Sequence, residues 1–341
     1  MRPLVLTLRT DPDERLDLSA LVPHRLSGKT ATEIGKLELQ TGRQRIAVGD
    51  IFRVRAGDPQ RVRIEGGTDR FDQVGQDMAG GEIVVEGDVG NQVGRLMTNG
   101  RLIINGNAGR WAASGMQGGQ VEIAGSAGDR VGGPLAGEMA GMRGGVVVVR
   151  GDVGERVGDR LRRGTIMVEG RAGAYAGSGM IAGTLIVRKA AGPLPGYLMR
   201  RGTVVLAGGC DQLSPTFLDC GVHDLVAMRL MAAFVADYSA AAGAALRSPL
   251  RRLAGDMAVL GKGEVFCVGA WPSTSTLCTA RGDRTTSGGD DGPDRVGVDG
   301  LRIGKPRPMR RAAPSLCGRN VAQSVRHECP AVYCAVDRGA P

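Results

Sequence analysis

Apolar residues along the middle of the chain come in pairs two apart, and the pairs recur every 19 residues. Aligned on glycine, the copies read GEIVVEGDVGNQVGRLMTN from Gly81, GRLIINGNAGRWAASGMQG from Gly100, and GQVEIAGSAGDRVG from Gly119. They continue as GVVVVRGDVGERVGDRLRR from Gly145, GTIMVEGRAGAYAGSGMIA from Gly164, GTLIVRKAAGPLPGYLMRR from Gly183 and a shortened GTVVLAGG from Gly202. One step is 26 residues, so seven extra residues sit within Gly132 to Met139. A weaker copy, Val62 to Gly80, keeps Gly75 and Met78 in register. Positions 3 and 5 are apolar throughout, from Ile83 and Val85 to Val204 and Leu206. A period of two in a β-branched run predicts a strand with both side chains on one face. A fixed repeat of such strands predicts a stacked β-solenoid over 62–208, its strands in parallel sheets and its paired positions in interior ladders.

The other positions refine this picture. Val or Ala at positions 9 and 13 (Val89 and Val93, Ala172 and Ala176) predicts a second, narrower strand. Position 17 carries Met97, Met116, Met142, Leu161, Met180 and Met199, which read as core, since methionine fills gaps. Glycines at positions 1, 7, 10 and 14 mark corners, where the chain needs positive φ or close backbone approach. Six copies with no helix after any of them exclude a dinucleotide fingerprint. Position 4 points outward yet holds Val84, Ile103, Val148, Met167, Ile186 and Val205, with Glu122 the polar exception. An outward apolar row does not face water, so flanking segments or another subunit must cover it.

Residues 1–61 read as a strand-rich cap without the repeat, with strands in LVLTL at Leu4, KLELQTG at Lys36 and DIFRVRAG at Asp50. Within 209–270, Pro215 to Leu246 predict a helix with His223, Val226, Leu230 and Phe234 at helical spacing, and the stretch from Gly255 predicts a closing strand or hairpin. The tail, 271–341, lacks apolar periodicity and reads as disordered or aberrant, in the manner of a shifted reading frame. It holds 11 Lys and Arg against 7 Asp and Glu, so it supplies +4 of the net +9.

Aromatics are 3% of the chain and glycines number 56, so Val, Ile, Leu, Ala and Met must fill the core. The basic balance lacks interleaved aromatics and gives no base-stacking platform, which argues against nucleic acid. No run of 18 apolar residues and no signal peptide occur, and seven irregularly spaced cysteines fit a reducing compartment, so cytoplasm is expected with no membrane contact. Chemistry is sparse. Of three histidines, His24 and His327 stand alone in the flanks, and His223 lies three residues after Cys220 with no second pair to complete a metal site. Cys317, His327, Cys329 and Cys334 form a loose cluster in the tail whose spacing fits no zinc finger, and no metal site is expected. Carboxylates at position 8, Asp88 and Asp152, read as surface corners, and no catalytic constellation or cofactor-binding residue emerges.

The coils of the repeat resemble the glycine-rich right-handed β-helix shared by the C-terminal region of the glutamate synthase large chain and the C subunit of formylmethanofuran dehydrogenase. Gly128 to Gly145 (GDRVGGPLAGEMAGMRGG), Ser214 to Leu225 (SPTFLDCGVHDL), Gly255 to Val265 (GDMAVLGKGEV) and Val48 to Val54 (VGDIFRV) resemble the dehydrogenase branch, over about residues 1–268. The resemblance implies an all-β fold, a right-handed parallel β-helix with a small N-terminal β cap and a C-terminal helix. It also implies one of two settings. One is the molybdenum or tungsten dehydrogenase that reduces carbon dioxide onto methanofuran. The other is a bacterial formyltransferase/hydrolase complex, which moves formyl from tetrahydromethanopterin to a methanofuran-type carrier and releases formate. The use of 39 Arg against 5 Lys favours the second. In both, a chain of this kind is a scaffold. It binds no cofactor itself, and catalysis is left to amidohydrolase-like and formyltransferase partner subunits in the bacterial complex. Arg156, Arg160, Arg162 and Arg163 read as a solvated corner, with the carrier's polyglutamate-like tail as the competing reading. A stand-alone β-helix enzyme acting on a polyanion is the alternative from another class. A domain of glutamate synthase is disfavoured by the lack of an N-terminal cysteine nucleophile and of flavin or iron–sulfur motifs.

Overall fold

Each repeat lays one strand directly on the strand of the repeat before it. The computed structural model describes residues 2–42 and 44–268, so the tail and its Cys317, His327, Cys329 and Cys334 lie outside the described residues. In chain order the strands are β1 (Pro3–Leu8), β2 (Leu16–Asp17), β3 (Glu38–Thr41), β4 (Gln44–Ala47), β5 (Phe52–Arg55), β6 (Asp58–Gly67), β7 (Phe71–Asp72), β8 (Ala79–Gly87) and β9 (Asn99–Ile104). They continue with β10 (Gln120–Ile123), β11 (Arg143–Val149), β12 (Arg163–Val168), β13 (Thr184–Val187), β14 (Arg201–Leu206), β15 (Leu218–His223), β16 (Leu250–Gly255) and β17 (Lys262–Val268). The helices are α1 (Pro23–Leu26), α2 (Ala31–Gly35), α3 (Val48–Ile51), α4 (Val226–Ala236) and α5 (Ala240–Ala245). The fold is thus mostly β with few helices.

A 13-stranded sheet runs β15-β16-β17-β14-β13-β12-β11-β10-β9-β8-β6-β1-β5, and a second sheet runs β4-β3-β2-β7. From β8 to β14 every pairing is parallel, and Val85, Ile104, Ile123, Val149, Val168, Val187 and Leu206 stand in one file. Ile123 pairs with Val149 across the 26-residue step, so the insertion bulges out and leaves the register intact. The large sheet as a whole is mixed, which corrects the purely parallel expectation. β5 pairs antiparallel with β1, and β15, β16 and β17 form an antiparallel set whose last strand lies parallel to β14. Both ends of the sheet are made by segments outside the repeat, where antiparallel pairings replace the repeating parallel one.

The paired interior positions and the methionine file are fully buried in one core. Position 9 does not form the expected second strand. It makes a single parallel bridge per repeat, from Val89 through Ala108, Ala127, Val153, Ala172 and Ala191 to Cys210. The corner glycines divide into two kinds, as Gly100 and Gly106 illustrate. Gly100 has φ of 101°, a conformation side chains rarely adopt. At Gly106 an added Cβ would lie 2.3 Å from the Gly87 carbonyl oxygen, so contact between layers requires glycine there. Position 12 holds left-handed residues without being glycine, among them Trp111 at 58° and Tyr175 at 60°. Their N–H groups donate to position 11 of the following repeat, at Asp129 and Pro193, which offsets the conformational cost.

The predicted helix breaks into β15, α4 and α5, and the face that carries Val226, Leu230 and Phe234 lies outward. Val226, Leu230 and Phe234 are exposed at 69%, 68% and 44%, while Met228, Ala232 and Val235 point inward. They cover Val148, Met167, Ile186 and Val205, with Ala242, Leu246, Leu250 and Phe266 completing a second core. The outward apolar row is therefore sealed by this chain itself over its last four copies. Only Val84 and Ile103 remain half-buried.

Candidate functional site

Three groups of side chains stand apart from the repeating core. The first is the position 8 column. Asp88 and Asp152 are not merely surface corners: each accepts the backbone N–H of the equivalent residue one repeat on, Asn107 and Arg171, both at 2.7 Å. Asn107 and Ser126 do the same for Ser126 and Asp152. Position 11 repeats the device, with Asp72, Asn91 and Asp129 accepting from Asn91, Arg110 and Glu155. The spacing of Asp88, Asn107, Ser126 and Asp152 carries this signal in the sequence, read as a column of short acceptors. Its chemistry is architectural, because every acceptor is committed to a backbone donor.

The second group lies around the insertion. Arg95 reaches Glu138 at 2.8 Å, Glu138 also accepts the Leu135 N–H, and Arg160 donates to the Glu138 carbonyl. Burial alone would raise the Glu138 carboxyl, but Arg95, the Leu135 N–H and nearby Arg143 hold it below the usual range. The pinned loop presents Met139, 82% exposed. Beneath it, buried Asp159 accepts from Ser178 Oγ at 2.8 Å and pairs with Arg130 at 3.3 Å. Among the described residues no imidazole sits beside Ser178 to take its proton, and the cluster's contacts fix a corner.

The third group is the C-terminal closure. Cys220 and His223 do meet, through His223 Nε2 and the Cys220 carbonyl at 2.8 Å, an arrangement that pairs no two ligating side chains. Asp224 is engaged by Arg229. Among the described residues no group of three or more His, Cys, Asp or Glu is placed to hold a metal ion. Burial pushes the Cys210 and Cys267 thiols up to about 12, away from the reactive thiolate. Buried Asp256 accepts the N–H groups of Leu198 and Ala258, tying the β16–β17 turn to the last full repeat. On the outside, Val226, Leu230 and Phe234 of α4 and Leu218 and Val222 of β15 are exposed among the described residues.

The predicted basic corner divides. Arg156 lies over the Tyr175 ring at 4.8 Å and Arg160 is bonded to the insertion, whereas Arg162 and Arg163 are exposed. His24 sits in α1, away from all three groups. No helix among the described residues is long and apolar enough to cross a membrane.

No protein-family model matches the chain. It is 55% identical over 261 residues to the C subunit of the formyltransferase/hydrolase complex Fhc of Methylorubrum extorquens, covering 76% of this chain and 98% of that protein. A second relative, the C subunit of the tungsten-containing formylmethanofuran dehydrogenase 2 of Methanothermobacter thermautotrophicus, is 34% identical over 95 residues, 26% of this chain and 35% of its own length. Among solved structures, a polypeptide of the formyltransferase/hydrolase complex FhcABCD of Methylorubrum extorquens, crystallised with methylofuran, superposes with a TM-score of 0.75. That superposition has 44% identity and covers 78% of this chain and all of that one. With identity of this level running nearly the whole length of the Methylorubrum protein, the chain belongs to the family of C subunits of the formyltransferase/hydrolase complex.

Proposed function

We propose that this chain is the scaffold, the C subunit, of a cytoplasmic formyltransferase/hydrolase complex in one-carbon metabolism. The complex moves formyl from tetrahydromethanopterin to a methanofuran-type carrier and releases formate, with both reactions in amidohydrolase-like and formyltransferase partner subunits. The observation that carries this is the 55% identity across 98% of the Methylorubrum protein. Catalysis elsewhere accords with polar groups that are committed to backbone donors or to ion pairs. In this reading 62–208 winds as a right-handed parallel β-helix, supported by the seven-strand parallel run and the second file of bridges at position 9. Residues 1–61 cap one end and 209–270 the other. Docking then uses the outer face of α4 and β15, not the repeat's own outward row.

The test is purification of the tagged chain from its native host under mild conditions, with mass spectrometry of what accompanies it. An amidohydrolase-like subunit and a formyltransferase subunit are the expected companions. A chain that arrives alone overturns the scaffold reading. A molybdopterin-bearing partner would move the chain to the dehydrogenase, the second reading favoured by the 34% match to the tungsten-containing enzyme's C subunit.

A further inference from the structure

Arg143, Arg162 and Arg200 occupy one corner of the stack. Each donates its backbone N–H to the position 17 carbonyl of the layer before it, at Met116, Met142 and Met180. Arg163 and Arg201 follow at the next position, and in the sheet Arg143 pairs with Arg163 and Arg201 with Lys262. All six side chains are exposed, and between the two arginine pairs stand only Ile181 and Ala182. At about 4.8 Å per layer, six positive charges fall within about 20 Å.

Among the described residues these charges have no ion-pair partner. The ion pairs among the described residues involve other cations, and none of the six takes part in one. Glu138 is near enough to Arg143 to feel its charge, but its carboxylate is bonded to Arg95. Elsewhere the same stacking step is neutralised: Arg63 meets Glu86, and Arg150 lies between Glu122 and Glu169. Like charges in register repel, so the bare column costs stability in the isolated chain. An external anion would remove that cost.

We infer that the Arg143–Arg162–Arg163–Arg200–Arg201–Lys262 column docks an acidic face of another protein in the assembly. The inference rests on the assembly reading above. Two observations favour a protein surface over a free polyanion. The column is interrupted at its middle by Ile181 and Ala182, giving charge around an apolar centre, as protein interfaces are built. It also sits on an exposed corner, and none of its members lines the clefts beside Arg9 and Arg53.

The test uses the full chain co-expressed with counterparts of the other three Fhc polypeptides and purified through a tag on this chain. Arg162→Gln, Arg163→Gln, Arg200→Gln and Arg201→Gln are combined in one variant, and the same four changes to Lys in another. At low ionic strength the Gln variant is expected to bring down about tenfold less partner protein than wild type, with the gap closing at high salt. The Lys variant keeps the wild-type complement. Should the fourfold Gln variant fold poorly, judged by its unfolding midpoint, the pair Arg200→Gln and Arg201→Gln carries the same expectation at smaller size. An unchanged complement and salt response in the Gln variants overturns the inference. So does loss of a furan-type carrier with the protein complement intact, which would assign the column to a small polyanion. A wild-type chain that brings no partner sinks the assembly reading, and this one with it.

Discussion

At position 4 of the repeat, Val84 and Ile103 lie half-buried beside the charged Glu122, whereas Val148, Met167, Ile186 and Val205 are sealed beneath α4 and α5. The earlier copies are tied layer to layer by polar acceptors: the position 8 column runs from Asp88 to the Arg171 N–H, and the position 11 series ends at the Glu155 N–H. The copies from Gly145 onward gain a second apolar core, and past Arg171 the position 8 column does not continue. One backbone plan is thus stabilised in two ways. Corner hydrogen bonds support the copies up to Gly164, burial beneath α4 and α5 supports those from Gly145 onward, and the two overlap at the Gly145 and Gly164 copies.

The widest gap between covered and uncovered copies is expected at position 4 itself. Ile186→Ala leaves a cavity under the helices and should cost about 2–5 kcal/mol, whereas Ile103→Ala at the half-buried site should cost about 1 kcal/mol. Denaturant midpoints compare them, and equal losses would erase the distinction. Asn107→Ala removes an acceptor from the polar column and should cost about 1 kcal/mol, with faster hydrogen exchange at the Ser126 amide. Exposed Arg171, at the same position past the end of the column, should tolerate Ala within about 0.5 kcal/mol.

Acid should weaken the ion pairs around Glu122. Burial would raise the Glu122 carboxyl, but Arg150 and Arg101 outweigh it and hold the group below the usual carboxylate range. A carboxyl lowered by folding adds stability above its unfolded value, near pH 4.3, and loses it as pH falls through the folded value. Glu122→Gln should flatten this acid limb of the stability–pH curve. An unaltered limb would show that the Arg101–Glu122–Arg150 contacts contribute nothing to folding. The smallest effect on stability is expected at Leu230→Glu on the open face of α4, within about 0.5 kcal/mol. The same variant should strip partners from the purified complex. Retention of all partners would remove that face as a docking surface.

The repeat, its 19-residue step and the inward positions were readable because a strand's side chains alternate and a stack must superpose them. The methionine file and the closing strand after Gly255 were readable for the same local reason, whereas its hairpin partner Leu250–Gly255 was not. The face of α4 was not. Val226, Leu230 and Phe234 have the spacing of a core stripe, yet Met228, Ala232 and Val235 are smaller or more adaptable and fit against the packed row of Val148, Met167, Ile186 and Val205. Periodicity finds a helix and its faces, but which face is buried depends on the shape of the partner. The polar column was missed because an Asp, an Asn and a Ser share no hydropathy, only a short acceptor at equal height.

Sequence alone therefore determined the period, the interior files, the corner glycines and, through its resemblance, the family. These follow from rules that act within one strand or between identical layers. The tertiary structure decided which segment covers the outward row, which charges are neutralised and which column of arginines is left bare. Each of these depends on residues far apart in the chain meeting at a common height in the stack, and no local pattern records that meeting.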